Sequence, residues 1–250
     1  MKYELDTIPV WDALKAQTEC PFCLLERRSR AGAVRYYLGP SVMVPEVRVT
    51  VNSTGFSAEN ARLLAKDNNR LGLGLITHTR LKAVRESFNR FLRSPAEKKN
   101  VRKEVENLLS HLQNQSRGCL IQKKIEEDLK RFAFTFLHLM KNDSDFSLAW
   151  NQSKGLCLRH VQTVLSMAID FFSPADLSQF VPPIWGKTLE NLQRVETDLQ
   201  AFTQTFDATH SHSITGNPEK ALERALLKLY GIFPEYEEES KTHRGPLMGM

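Results

Sequence analysis

Apolar residues recur at spacings of three and four along most of the chain, which is the period of an amphipathic helix. The clearest run covers 59–92, and further helical patterns cover about 97–115, 120–140, 158–172, 183–206 and 217–230. Ser94 and Pro95 are expected to end the first of these helices and begin the next. One short segment, 44–53, places valines in the manner of a β-strand, but no partner strand is evident. The pattern therefore predicts an all-α fold.

Composition fits an ordinary globular protein, with 250 residues, 41% hydrophobic residues and a formal net charge of +5. No uninterrupted apolar stretch approaches the length of a membrane span, and the first residues lack the layout of a signal peptide. We therefore expect a cytoplasmic protein with no membrane contact. In that reducing compartment, four cysteines are expected to be free, metal-bound or catalytic rather than disulfide-bonded.

Two stretches about a hundred residues apart share one order of features. Each begins with a cysteine and an amphipathic helix, passes through a short polar turn with glycine, and ends at the start of another helix. Cys20 precedes Gly55 by 35 positions, and Cys119 precedes Gly155 by 36. Such closely matched spacing over about forty residues indicates an internal duplication.

This duplication predicts one helical domain made of two related halves, 18–95 and 117–207, packed pseudo-symmetrically. A C-terminal helix at 217–231 and a flexible tail at 234–250 complete the expected organisation.

Aligning the two stretches places Cys20 opposite Cys119 and Cys23 opposite Gln122. Ser57 then aligns with Cys157, and Asn60 with His160. The full unit is a CxxC pair followed, about 33 residues later, by a GhCxxH pair, where h is apolar. Residues at i and i+3 share one face of a helical turn, so two such pairs can converge on a tetrahedral metal site.

The motifs CPFC, LGP, PEVR and KGLCLRH, together with FTQTFD and ALERALLKLYG, resemble an uncharacterised bacterial family, a domain of unknown function. The resemblance covers roughly 18–232 and implies CxxC and GFCxxH elements in both halves. This chain departs from that pattern at Ser57, Asn60 and Gln122. The resemblance implies no established activity.

The positions at which this chain lacks a cysteine or histidine of the full unit indicate which ligands belong to the same site. If each half made its own site, both sites would be incomplete. If each site instead combines the first pair of one half with the second pair of the other, one site has a complete set of three cysteines and one histidine. The other site, made of Cys119, Gln122, Ser57 and Asn60, keeps only one of its four ligands. We therefore predict a structural zinc site, with no catalytic or other cofactor-binding residues assigned, formed by Cys20, Cys23, Cys157 and His160.

Other interpretations of the same residues remain open. The CPFC motif is also typical of a redox dithiol, and the cysteines are alternatively small buried apolar residues. Single histidines on helices are best explained as surface or hydrogen-bonded core residues. His138 lies in the apolar stretch FTFLHLM and is expected to be a buried, hydrogen-bonded imidazole, while His210 and His212 are expected to be a surface tract.

The function predicted from these features is that of a zinc-stabilised helical protein rather than an enzyme. It would bind an unknown protein or small-molecule partner or have a regulatory role. One alternative is an enzyme or ligand-binding protein with a site between the halves, where Arg35, Tyr36 and Tyr37 would line a cleft. Another is polyanion or nucleic-acid binding through the basic segment 80–103, although its charges also suit the solvated face of an ordinary helix.

Overall fold

A computed structural model of the chain describes residues 5–93, 101–116, 118–206 and 216–231. Every regular element within these ranges is helical, which confirms the predicted all-α class. A short 3₁₀ helix lies at Pro40–Met43. The α-helices are α1 (Thr7–Lys15), α2 (Pro21–Leu38), α3 (Pro45–Thr54), α4 (Ala58–Lys66), α5 (Arg70–Arg93), α6 (Val101–Ser116), α7 (Leu120–Asn142), α8 (Ser144–Asn151), α9 (Leu158–Phe171), α10 (Pro174–Gln204) and α11 (Ala221–Tyr230).

The strand-like segment 44–53 is helical, so its strand-like appearance was misleading. Pro45 occupies the first turn of α3, where its fixed φ favours a helix and its missing N–H costs nothing. Val51 is buried, and Val47 lies one turn before it on the same side of the helix. Burial of this face outweighs the β-preference of the valines, and Gly55 ends the helix at a φ of 76°.

The helix predicted from 183 begins earlier, at Pro174. Ser173 and Asp176 form a capping box at its start, and α10 continues through Pro182 and Pro183. A proline inside a helix costs about 3 kcal/mol, which is why the sequence suggested a boundary there. The buried face of α10, which includes Ile184, offsets this cost.

The last helix begins at Ala221 rather than at 217. Asn217 forms a turn instead: its side chain accepts a hydrogen bond from the Glu219 amide, and its own amide donates to Asp198. Lys220 is in the left-handed region with a φ of 54°, which separates this turn from α11. Gly231 ends the helix as predicted, at a φ of 69°.

The chain divides into two compact units, one comprising Met1–Leu25 and Leu129–Met250, the other Glu26–Asp128. We call them the outer-segment unit and the middle unit. The core of the outer-segment unit is centred on Phe136. Its ring meets those of Phe22, Phe146 and Trp150 edge-on, at centroid distances of 5.8, 5.5 and 5.1 Å. These fully buried rings fix the start of α2 against α7 and α8.

The middle unit is organised around the packing of α3 against α5. Val51, Leu64 and Ile76 are buried and line a common small cavity, with Arg80 at its edge. The Arg80 guanidinium donates to the carbonyl of Asn52, which joins the end of α3 to α5.

The order of elements matches the two sequence stretches. Helices α2 and α7 each begin one residue after a cysteine, Cys20 or Cys119. The shorter helices α3 and α8 follow, and then Gly55 and Gly155, both with positive φ. Helices α4 and α9 come next. This correspondence supports the duplication, which stays an interpretation.

Some predictions concern residues outside the described ranges. These are the helix boundary at Ser94–Pro95, His210 and His212, the tail at 234–250 and residues 94–100 of the basic segment. Among the helices that the structure describes, none combines the length and the apolar character needed to cross a membrane.

Candidate metal site

Two helix N-termini carry the four residues predicted to bind metal. Cys20 precedes the first residue of α2 and Cys23 lies in its first turn, while Cys157 is the N-cap of α9 and His160 lies in its first turn. The two pairs have the same backbone hydrogen bond, from the amide of the later residue to the carbonyl of the earlier one, at 3.1 Å in each case. Both pairs therefore present their side chains from one side of a tight turn.

The structure brings these four side chains together within the outer-segment unit. The Nδ1 atom of His160 lies 3.5 Å from the Sγ of Cys20, 3.4 Å from that of Cys23 and 3.1 Å from that of Cys157. The Sγ atoms of Cys23 and Cys157 are 3.6 Å apart. All four donor atoms lie within 4.8 Å of one another, so the cluster can hold a metal ion.

These distances match the edges of a tetrahedral coordination shell. A zinc ion about 2.3 Å from sulfur and about 2.0 Å from nitrogen separates two sulfur ligands by about 3.8 Å, and sulfur from nitrogen by about 3.5 Å. The observed separations of 3.6 Å between Cys23 and Cys157, and of 3.1–3.5 Å from sulfur to Nδ1, lie close to these values. The side chains need little movement to surround one ion.

Hydrogen bonds among the four side chains explain their close approach less well than a shared metal ion does. An imidazole nitrogen either donates or accepts one hydrogen bond, whereas three sulfur atoms surround Nδ1 of His160. A cation shared by all four donors satisfies every contact at once. All four cysteines of the chain are free thiols.

Burial completes the environment of the cluster. Cys20, Cys23, Cys157 and His160 have no exposed surface. The ring of Phe22, between the two cysteines of CPFC, lies 5.8 Å from the imidazole of His160 and also belongs to the aromatic core. Water is therefore excluded from the cluster, and its donors are held by the same packing that stabilises the unit.

The thiols influence one another's protonation. Burial acts to raise the pKa of Cys20, but contacts with Cys157, Cys23 and His160 outweigh it and hold this pKa well below its usual value. Hydrogen bonds with Cys157 and Cys20, together with burial, raise the pKa of Cys23. Cys20 and Cys23 therefore oppose each other's ionisation, because a second thiolate would lie beside the first. A divalent cation removes that obstacle.

A buried lysine lies next to the cluster, and the sequence reasoning missed it. Lys228 of α11 has no exposed surface, and its Nζ donates to the carbonyl of Glu19, at 2.6 Å, and to that of Lys154. Burial lowers the pKa of Lys228, while the charges of Glu19 and Cys20 act to raise it. Its position gave a signal, since it follows the buried Ala221 and Ala225 at helical spacing.

Charged side chains continue outward from this lysine. The carboxylate of Glu19 accepts a hydrogen bond from Arg194 at 2.5 Å, and Lys154 and Lys228 lie 3.5 and 3.7 Å away. Arg194 also contacts Asp198 at 3.3 Å. The segment just before Cys20 is thereby fixed to α10 and α11.

The aligned positions of the middle unit also lie together, but as a hydrogen-bonded group. The Nδ2 of Asn60 donates to the Sγ of Cys119 at 3.2 Å and to the Oγ of Ser57 at 3.1 Å. Gln122 contributes its backbone amide to the same sulfur, at 3.5 Å, while its side chain reaches Glu126. Burial opposes ionisation of Cys119, but hydrogen bonds from Ser57, Gln122 and Asn60 outweigh it and lower the pKa.

A groove of about 420 Å³ within the middle unit is lined by Tyr36 and Tyr37, which were expected to line a cleft between the halves. Three of its polar side chains bind one another, since the carboxylate of Asp128 accepts hydrogen bonds from Ser29 at 2.5 Å and from Lys124 at 2.7 Å. Because these groups satisfy one another, the groove does not point to a particular ligand.

His138 is only half-buried and contacts Asn142, so its predicted core environment is not what the structure shows.

Fold and site together define an all-α protein with a buried cluster of three cysteines and one histidine. The sequence matches the model of a family described as "Family of unknown function (DUF6062)" over residues 1–236, and the chain belongs to this family. Comparison with curated proteins and with solved structures finds no match.

Proposed function

We propose that Cys20, Cys23, Cys157 and His160 bind one structural zinc ion, and that the chain is a zinc-stabilised helical protein. The observation that carries this proposal is the convergence of four buried donor atoms within 4.8 Å of one another. Their separations suit a single tetrahedral ion, as derived above. We place the protein in the cytoplasm, where thiol ligands stay reduced.

The donor set favours zinc over other common metals. Three thiolates and one imidazole in tetrahedral arrangement are typical ligands of structural zinc. Calcium and magnesium require oxygen donors in larger coordination shells. Copper(I) and iron also accept thiolates, so metal analysis has to separate them from zinc.

The main effect of the ion would be to join distant parts of the chain. Cys23 and Cys157 are 134 positions apart, and closing so long a loop costs conformational entropy that metal binding offsets. The ion would thereby hold the start of α2 against the start of α9. In such proteins the free energy of metal binding contributes directly to folding.

This closed site favours a binding or regulatory role over chemistry at the metal. Four protein ligands fill a tetrahedral shell, which leaves no position for a substrate. We therefore propose that the helical surface, held in shape by the ion, binds a protein or small-molecule partner.

Elemental analysis tests the proposal. Protein purified under reducing conditions should contain about one zinc per chain, with little copper or iron. Cys157→Ser should lose the metal, whereas Cys119→Ser, which changes a cysteine outside the cluster, should keep it. Wild-type protein that binds no zinc, even when zinc is supplied during refolding, would refute the proposal.

A further inference from the structure

Lys228 occupies an unusual position for a lysine. Its side chain has no exposed surface, and its Nζ donates hydrogen bonds to two backbone carbonyls, those of Glu19 and Lys154. Burial of an ammonium group costs free energy unless hydrogen bonds and charges compensate it. An apolar residue at this position of α11 would avoid the cost of burying an ammonium group, which suggests that the lysine has a specific role.

The two carbonyls belong to the two segments that carry the cluster. Glu19 immediately precedes Cys20, and Lys154 lies three residues before Cys157. One ammonium group therefore bridges the segment of the CxxC pair and the segment of the CxxH pair. Backbone atoms this close to the ligands move with them, so the bridge sets the separation of the two pairs.

An ion pair with Glu19 does not account for the position of Lys228. Its Nζ lies 3.7 Å from the Glu19 carboxylate but 2.6 Å from the Glu19 carbonyl. The carboxylate is held by Arg194 at 2.5 Å. The lysine is thus placed by the backbone carbonyls.

Charge gives a second reason for a lysine here. A zinc ion with three thiolates and a neutral imidazole carries a single net negative charge. In a water-excluded environment that charge is costly unless a positive group lies nearby. A buried ammonium next to both ligand-bearing segments supplies it.

We propose that Lys228 is a positioning residue of the metal site, which holds the two ligand-bearing segments at the metal-binding separation and offsets the negative charge of the occupied cluster. This rests on the zinc site proposed above. It also makes α11 part of the site, since Lys228 connects that helix to residues 19 and 154.

Zinc affinity measured by competition with a chelator of known affinity tests the proposal. Lys228→Met keeps the length and removes the charge and the donors, and it should weaken zinc binding by about 10–100-fold, the usual effect of losing an outer-shell partner. The control is Lys187→Met, which removes a largely buried lysine of the same unit that pairs with Glu190. It should bind zinc with wild-type affinity.

The outcomes separate this proposal from the previous one. Wild-type protein without zinc refutes the zinc site itself. Zinc-binding wild-type protein whose affinity is unchanged by Lys228→Met refutes only the role of Lys228. An equal loss in Lys187→Met would also refute it, because the effect would not be specific to this lysine.

Hydrogen exchange of the wild-type protein provides a test that needs no variant to fold. Removal of zinc should speed amide exchange in α11, because the bridge from Lys228 then joins two segments no longer held together. Exchange in α4 of the middle unit should change less. Exchange in α11 that is the same with and without zinc would overturn the proposal.

Discussion

The Sγ atom of Cys23 lies 3.4 Å from Nδ1 of His160, although 137 positions separate the two residues. Each residue occupies the first turn of a helix, and each has a cysteine three positions before it. Two local motifs are therefore joined by tertiary packing around Phe22. Their meeting depends on the whole fold of the outer-segment unit, so an ion bound there would stabilise that fold.

Removal of zinc should lower the melting temperature of the wild-type protein. Free zinc at about 1,000 times its Kd raises the free energy of unfolding by about 4 kcal/mol. At roughly 2–4 °C per kcal/mol for a chain of this size, this corresponds to a shift of about 8–16 °C. Differential scanning calorimetry with and without a chelator measures the shift.

The variant Cys157→Ser provides the control for that shift. It should melt near the temperature of the chelated wild-type protein and should not respond to the chelator. Cys119→Ser should respond as the wild type does. A chelator effect of the same size in Cys157→Ser would show that the metal acts elsewhere.

The sequence carried enough information to select the four residues of the cluster. Pairs at i and i+3 are local patterns, and comparing the two stretches indicated which pairs belong together. The bridge from Lys228 could not be predicted, because it depends on two carbonyls more than 70 positions away. The segment 44–53 resembles a strand because its valines favour one locally. It forms a helix because Pro45 favours a helical start and Val51 is buried, and that burial is a tertiary effect that the local pattern does not show.

Three substitutions should create a second metal site in the middle unit if the duplication interpretation is right. The Nδ2 atom of Asn60 already lies 3.1 Å from the Oγ of Ser57 and 3.2 Å from the Sγ of Cys119, distances comparable with ligand separations. Combining Ser57→Cys, Asn60→His and Gln122→Cys with Cys119 reproduces the three-cysteine, one-histidine set. Elemental analysis should then find about two zinc ions per chain.

The same three substitutions in a Cys119→Ser background should return the zinc content to about one per chain, because one ligand is missing. If the triple variant folds and still holds one zinc, the aligned positions are not equivalent, and the duplication loses its structural support.

Truncation of Phe136 should strongly destabilise the outer-segment unit. Its ring is fully buried and meets Phe22, Phe146 and Trp150. Phe136→Ala leaves a cavity among these rings and should lower the free energy of unfolding by about 3–5 kcal/mol in urea unfolding. Leu148→Ala, at a position that is 61% exposed, should change it by less than about 0.5 kcal/mol. Similar losses in both variants would contradict this assignment of the core.

The start of α10 should contribute stability that depends on pH through Asp176. A hydrogen bond from Lys141, and then one from Ser173, lower the pKa of this carboxyl in the folded chain. Its contribution is therefore fully present above the unfolded-state pKa of about 3.9 and is lost as the pH falls through the lower folded-state value. Asp176→Asn should destabilise the protein in urea unfolding at neutral pH, and the difference from wild type should shrink as the pH falls below that of an unfolded aspartate.

Ser173→Ala tests the helix cap together with the hydrogen bond to the Asp176 carboxylate. The Ser173 hydroxyl accepts a hydrogen bond from the Asp176 amide, a contact that needs no ionised group. The same hydroxyl also donates to the Asp176 carboxylate. Ser173→Ala should therefore cost about 1 kcal/mol below the pKa of an unfolded aspartate, where only the cap is lost, and more at neutral pH. Added salt should reduce the effect of Asp176→Asn at neutral pH, because the ion pair with Lys141 is partly exposed. An effect of Asp176→Asn that stays constant across this pH range would show that the carboxylate acts by its shape rather than by its charge.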